Sequence, residues 1–373
     1  MTTDSSTLAT SPTERGHILS PPGDDDWKAV PLPRNRYADE LNDELSALTL
    51  YPSHQPEHYQ FTIGSWNIGD RTSANVCKDI INSILEARPP QVLFIQEGPS
   101  LKHISKNIMN KPFFVNEKGL NGEQKRVMAG TWSSILVSSL FTIEERLDDF
   151  IDSPKYIEQT RVQRFHNIAE DEGVSLEPSV IGMLLDRSVI VRVRLMGTGQ
   201  QFLLWNYHGQ NRVSKSLRYV LNITLLKMID LFAAAVDYPI ILGGDFNIRI
   251  LAPVDTSLFY EMKTEFEFLG NRYHCLEPGT GEVNLFDSLL LENCVLPLIN
   301  DDYGRQEAID FMMMFQKGQN TCKIADVERL RWNDQLYRNC FLTEDMVKLL
   351  NKGDVDEHLL NHPYVSGNII VLT

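Results

Sequence analysis

Five apolar runs in this 373-residue chain adjoin a side chain that can ligate a metal or move a proton, with glycine or proline close by. The junctions are Trp66-Asn67-Ile68-Gly69, Gln96-Glu97-Gly98, Tyr207-His208-Gly209, Gly243-Gly244-Asp245-Phe246-Asn247 and Asn361-His362-Pro363, the last preceding its apolar strand. In layered sheet proteins, strand ends are where side chains from remote segments meet at one open edge. The pattern is that of a hydrolase assembling one site from distant parts of the chain.

Each residue type fits that chemistry. Glu97 follows Val92-Leu93-Phe94-Ile95-Gln96, so a strand carries its carboxylate to the sheet edge, where a buried charge needs a cation or hydrogen-bond donors. Asp245 and Asn247 stand two apart after Gly243-Gly244, a spacing that in an extended loop puts both side chains on one side. Glycine there permits close backbone approach to a ligand. Of nine histidines, His208 and His362 alone adjoin both an apolar strand and a Gly or Pro. Imidazole titrates near pH 6.5, close enough to neutrality to accept or donate a proton. Asp310 enters the apolar run Ala308 to Phe315, where an unpartnered carboxylate costs several kcal/mol. A histidine N–H would answer it and fix that ring's tautomer; backbone or Ser and Thr donors would serve equally.

The elements that must position these residues alternate from Gln60 onward. Strands are expected at Phe61–Trp66, Gln91–Gln96, Phe113–Glu117, Gly130–Ser138, Ile240–Leu242, Phe286–Leu291, Ala308–Phe315, Lys323–Leu330 and Asn368–Leu372, with Ser188–Met196 and Gln201–Tyr207 pairing about Gly197-Thr198-Gly199. Helices are expected at Ser73–Ala87, around Leu101–Ile108, and at Ser214–Val236, which sets Leu217, Leu221, Met228, Leu231, Phe232 and Ala235 on one face. Ile143–Ser179 is charged and irregular, which suits an excursion over the site. Many strands with few helices imply two sheets packed face to face with helices outside.

Residues 1–58 carry ten acidic and four basic residues, six of the chain's fifteen net negative charges, and are expected to be a disordered acidic tail. Residues 59–373 are then one catalytic domain. So negative a chain does not bind polyanions broadly, although carboxylate clusters suit hard divalent cations. No apolar segment approaches the roughly 18 residues that span a bilayer. Five scattered cysteines without a paired motif read as reduced thiols, the expectation for a cytoplasmic or nuclear protein.

Taken in order, Ser65-Trp66-Asn67, Gln96-Glu97, Asn206-Tyr207-His208-Gly209, Gly243-Gly244-Asp245-Phe246-Asn247, Ile309-Asp310-Phe311 and Asn361-His362-Pro363-Tyr364-Val365 resemble the endonuclease/exonuclease/phosphatase superfamily, the DNase I-like family. The resemblance runs from Phe61 to Leu372. It implies a four-layered α/β sandwich, two mostly antiparallel sheets with helices outside, and hydrolysis of phosphoesters with magnesium, or manganese in its place. It also implies that Asn67 and Glu97, with Asn361, hold the cation, and that Asp245 and Asn247 place the water and the phosphoryl group. His362 becomes the base oriented by Asp310, and His208 binds the phosphoryl oxygen or protonates the leaving oxygen. The family's final motif commonly reads Ser-Asp-His, whereas this chain has Leu360-Asn361-His362, an amide in place of a carboxylate.

The implied substrate is a phosphoester, with nucleic acid or nucleotide first. A phosphatase acting on a small-molecule or lipid phosphoester is the alternative enzyme, and a decayed binding or scaffold protein the alternative outside catalysis. Ile143–Ser179 and Gln316–His358 are the expected determinants of substrate.

Overall fold

The computed structural model describes residues 58–68, 81–82, 89–98, 101, 113–119, 132–146, 178–254, 257–258, 283–284, 289, 291–300, 309–318, 321–330, 362 and 364–372. The chain divides after Gln55 into two units. The first unit lies outside the described residues, and so do residues 1–57 of the expected acidic tail, Asn361 and most of the two helices expected at Ser73–Ala87 and Leu101–Ile108; His58, expected to end that tail, instead opens the first strand. Ile81 and Asn82 are helical, with Ile81 buried, as expected of the first of those helices.

Among the described residues, two six-stranded sheets face each other. The first runs in the order β13 (Cys322–Leu330), β14 (Tyr364–Leu372), β1 (His58–Asn67), β2 (Val92–Gly98), β4 (Trp132–Ser138), β3 (Phe113–Gly119). The second runs β11 (Cys294–Asn300), β12 (Asp310–Phe315), β8 (Ile240–Asp245), β7 (Gln201–His208), β6 (Ser188–Leu195), β5 (Phe141–Arg146). A two-stranded ladder joins β9 (Pro253–Val254) to β10 (Val283–Asn284). In the six-stranded sheets β1 pairs with β2, and β7 with β8, in parallel; the other neighbours are antiparallel. A parallel neighbour requires a crossover, which α2 (Lys215–Ala235) supplies between β7 and β8. The Oγ of Ser214 caps this helix by accepting from the Leu217 backbone N–H at 3.1 Å.

The two-residue period of the strands sorts their side chains into two cores. Phe61 and Ile63, Val92 and Phe94, Phe202 and Leu204, Ile241, Met312 and Met314 interleave between the sheets. Leu203, Trp205, Leu242, Phe311 and Met313 point to the other face of the second sheet. There α1 (Pro178–Asp186) and α2 cover them with Val180, Ile181, Leu184, Leu225 and Phe232. Each such buried side chain contributes about 1.5–3 kcal/mol. One end of the sandwich is sealed by Phe61, Phe141 and Phe202, packed edge to face at 5.1–6.4 Å. The other end has the opposite character.

Several expectations need correction. Ile143–Arg146 is part of edge strand β5, not of an irregular excursion. Its acidic side chains face solvent and pair with the next strand, Glu144 with Arg194 and Arg192, and Glu145 with Arg192. Residues 178–186 form α1, whose proline occupies the first turn, where its missing N–H costs nothing. Phe286–Leu291 is not a strand where it is described: Leu289 lies in a turn and Leu291 outside any element, and the strand is Cys294–Asn300. Ala235 is exposed, whereas Tyr219–Leu226 are all buried, so α2 buries more than the single face expected.

Candidate active site

The period that fills the core also decides what emerges at the open end. Along β8 the inward positions after Ile241 are Gly243 and Asp245; along β7 they are Asn206 and His208; along β12 the series runs back from Met312 to Asp310. In the first sheet, Phe61 and Ile63 lead to Ser65 and Asn67, and Phe94 leads to Gln96. The strand register then aligns them. Asp310 pairs with Asp245, and Asp245 with His208, so two carboxylates and an imidazole stand in one row across β12, β8 and β7. Asn67 answers from the opposite sheet, its Nδ2 donating to Asp245 Oδ2 at 2.8 Å.

Beneath the rim a buried amide network joins the sheets. Gln96 Nε2 donates to Asn206 Oδ1 at 2.7 Å, and Asn206 Nδ2 donates to the carbonyls of Ile95 and Ser134 at 2.9 and 2.8 Å. Such networks hold geometry tightly, because a broken member leaves a buried group unpaired at about 1–3 kcal/mol.

Glu97 would continue the alternation away from the inter-sheet face, but the backbone redirects it. The β2–β4 register shifts between Ile95 and Gly98, and Glu97 takes a φ of 54°. Bulges and left-handed residues of this kind re-aim side chains beside functional sites, at about 1 kcal/mol or more. Glu97 Oε1 consequently lies 3.0 Å from His208 Nε2. Burial opposes its ionisation, but His208, His362 and Arg187 hold the carboxyl below the ordinary carboxylate range.

Asn247 also has a positive φ, 54°, so the loop after β8 is curled and not extended as the spacing suggested. Its backbone N–H donates to Asp245 Oδ1 at 2.7 Å, and its Nδ2 donates to the Gly209 carbonyl at 3.0 Å. Two glycines make this possible. Gly244 has a φ of 145°, and a Cβ there would overlap the Tyr207 carbonyl oxygen; a Cβ on Gly209 would strike the Phe246 carbonyl.

His362 donates from Nδ1 to Asp310 Oδ2 at 2.8 Å, which is one of the partners an acid in the strand called for. Its carbonyl accepts from Trp66 Nε1 at 2.9 Å, fixing the turn that carries it. Burial opposes its charge, yet Asp310, Asp245 and Glu97 more than offset this and push the imidazole up to about 10. Arg187, which no motif picks out, donates to the carbonyls of His208 and Gly209 at 2.8 and 3.1 Å and lies 2.9 Å from His208 Nδ1. A signal for it does exist: a lone cation between the apolar runs Val180–Leu185 and Val189–Val191.

The rim concentrates negative charge. Asp245 and Asp310, 1% and 2% exposed, are direct cross-strand partners, and candidate ligand atoms of these two and His362 lie within 4.8 Å of one another. At that separation two carboxylates repel by roughly 3 kcal/mol at an effective dielectric constant near 20, which exceeds what one ordinary hydrogen bond returns. A hard divalent cation is the ligand such an oxygen-rich group suits. Of the residues expected to form the site, Asn67, Glu97, His208, Asp245, Asn247, Asp310 and His362 stand at this one end, linked by the contacts above; Asn361 lies outside the described residues.

No protein-family model matches the chain, and no curated protein does. Similar solved structures include the human Nocturnin catalytic domain with bound sulfate, at 10% identity and a TM-score of 0.45 over 84% of this chain and 97% of that one. A humanized D. rerio TDP2 is similar at 14% identity and a TM-score of 0.44, over 83% and 98%. An endonuclease/exonuclease/phosphatase family protein from Bacteroides thetaiotaomicron is similar at 14% and 0.43, over 84% and 98%. With likeness at this level, function has to be argued from the site's own geometry.

Proposed function

We propose that the chain is a magnesium-dependent phosphoester hydrolase, with a phosphodiester of nucleic acid or nucleotide as its first substrate class. The observation that carries this reading is the buried row Asp310–Asp245–His208, with His362 on Asp310 and Asn67 and Glu97 facing it. The residues present fit a hard divalent cation. Glu97, the Asn67 amide oxygen and Asp245 would hold it, and Asn361, which precedes His362 in the sequence, is the further candidate. Magnesium supplies positive charge that neutralises the phosphoryl oxygens, and manganese would substitute.

The remaining work falls to the chain's own side chains. His362 takes the proton of the attacking water at Nε2 while Asp310 holds its Nδ1–H, the arrangement that orients a base in a catalytic triad. It does so once the negative field that keeps it charged has been countered. Asp245 and Asn247, tied together through the Asn247 N–H, place the water and the phosphoryl group. His208 meets a phosphoryl or leaving oxygen from the far side of the row. A positioned base contributes about 10²- to 10⁴-fold, and preorganised charge a comparable amount.

The experiment is hydrolysis of bis(p-nitrophenyl) phosphate, short oligonucleotides, mononucleotides and sugar phosphates by the full chain with magnesium. Turnover of a diester, lost in Glu97→Gln and His362→Ala variants that retain the wild-type circular dichroism spectrum, supports the reading. Near-normal turnover in either variant contradicts it. Activity confined to monoesters would move the substrate class to phosphatases.

A further inference from the structure

His208 is gripped by one side chain, and the grip has a direction. Arg187, buried at the end of α1, donates from Nε to the His208 carbonyl at 2.8 Å and from one terminal nitrogen to the Gly209 carbonyl at 3.1 Å. That same nitrogen lies 2.9 Å from His208 Nδ1, and the Arg187 carbonyl accepts from the His208 backbone N–H at 3.0 Å. A guanidinium has five N–H donors and no acceptor. The contact with Nδ1 is therefore a hydrogen bond only when Nδ1 carries no proton, which places the ring's proton on Nε2. Across the ring, Nε2 stands 3.0 Å from Glu97 Oε1, a carboxylate that can only accept. Glu97 is compatible with that tautomer, but the contact that requires it is the one from Arg187. Nε2 makes no hydrogen bond to Glu97 in this arrangement, so its donor is open to an incoming oxygen.

We propose that Arg187 is a positioning residue: it locks His208 in the Nε2–H tautomer, so that the imidazole offers a hydrogen-bond donor to an oxygen of the phosphoryl group and does not act as the base. This rests on the hydrolase reading for its catalytic meaning, but the tautomer itself does not. It also separates the two duties open to His208. Its task is to bind developing charge on oxygen, with no net proton transfer, while His362 alone moves a proton.

The test reads the ring nitrogens directly. Two-dimensional ¹⁵N NMR of the histidines in the full, metal-free chain, with His208→Gln to assign the signal, should show Nδ1 unprotonated and Nε2 protonated. Arg187→Lys, which keeps a donor at Nδ1, should retain that signature; Arg187→Met should lose it. In steady-state kinetics Arg187→Met should lower kcat about 100-fold with KM within about threefold, and Arg187→Lys should recover much of the loss. Wild-type His208 protonated on Nδ1, or an unchanged tautomer in Arg187→Met, overturns the proposal. Should the wild type hydrolyse no phosphoester, the hydrolase reading falls, while the ring nitrogens still decide the lock. Should the Met variant fail to fold, the wild-type and Lys spectra decide it.

Discussion

Two histidines stand at the same rim on opposite sheets, and their neighbours are opposites. His362 meets a carboxylate, donating from Nδ1 to Asp310; His208 meets a guanidinium, accepting at Nδ1 from Arg187. The same nitrogen thus plays contrary roles, and so must the nitrogen across each ring: an acceptor at His362 once the ring is neutral, a donor at His208. Residue type alone does not tell a base from an oxygen binder. The charge of the group behind the ring does.

Replacing each histidine with glutamine attacks this contrast most strongly. Glutamine keeps a donor near the position of Nε2 but accepts protons poorly, so His362→Gln should lower kcat by about 10³-fold or more, and His208→Gln by only about tenfold. Equal losses at the two positions would break the distinction. Asp310→Asn comes next: it removes the charge that holds His362 while keeping an oxygen near Nδ1, and kcat should fall about 10²- to 10³-fold with KM little changed. Gly244→Ala strikes both halves of the row at once, through steric overlap with Tyr207 and an unfavourable φ. A loss of about 4 kcal/mol in urea unfolding is expected, and a loss under 1 kcal/mol would mean the backbone there yields easily.

The contrast also reaches stability against pH. His362 lies at about 10 when folded and near 6.5 when unfolded, so the native state binds the extra proton. That contribution is complete below about pH 6.5 and is lost as pH rises towards 10. The metal-free protein should therefore show a falling Tm from pH 7 to 10, with a shallower fall in His362→Gln. A parallel decline in the two proteins would place the titration elsewhere.

Much of this arrangement was legible in the sequence, because a period of two and a terminal polar residue are local signals. Ile241, Gly243 and Asp245 share a face by alternation alone, and an aspartate in the run Ala308–Phe315 demands a partner whichever sheet it joins. Two sheets packed face to face followed from the count of apolar runs; their mostly antiparallel pairing was implied by the resemblance. What stayed hidden depends on the third dimension. Glu97 reaches His208 through a register shift and a left-handed backbone, neither of which Gln96-Glu97-Gly98 announces. No motif marks Arg187, because its role arises only where the fold closes two carbonyls and an imidazole around it. Ile143–Arg146 read as loop because an edge strand exposes one face and fills it with ion pairs. Cys294–Asn300, interrupted by Pro297, lacks the alternation that marks a strand, and its register shifts between Val295 and Ile299.

The claim beneath all of this is that Asp245 and its neighbours form a site for one divalent cation. Calorimetric titration of magnesium into the metal-free wild type and into Asp245→Asn tests it most directly. A single saturable site in the wild type, with affinity at least tenfold weaker in the variant, is the predicted result. No binding heat in the wild type at millimolar magnesium and several temperatures, or equal affinity in the two proteins, would contradict it.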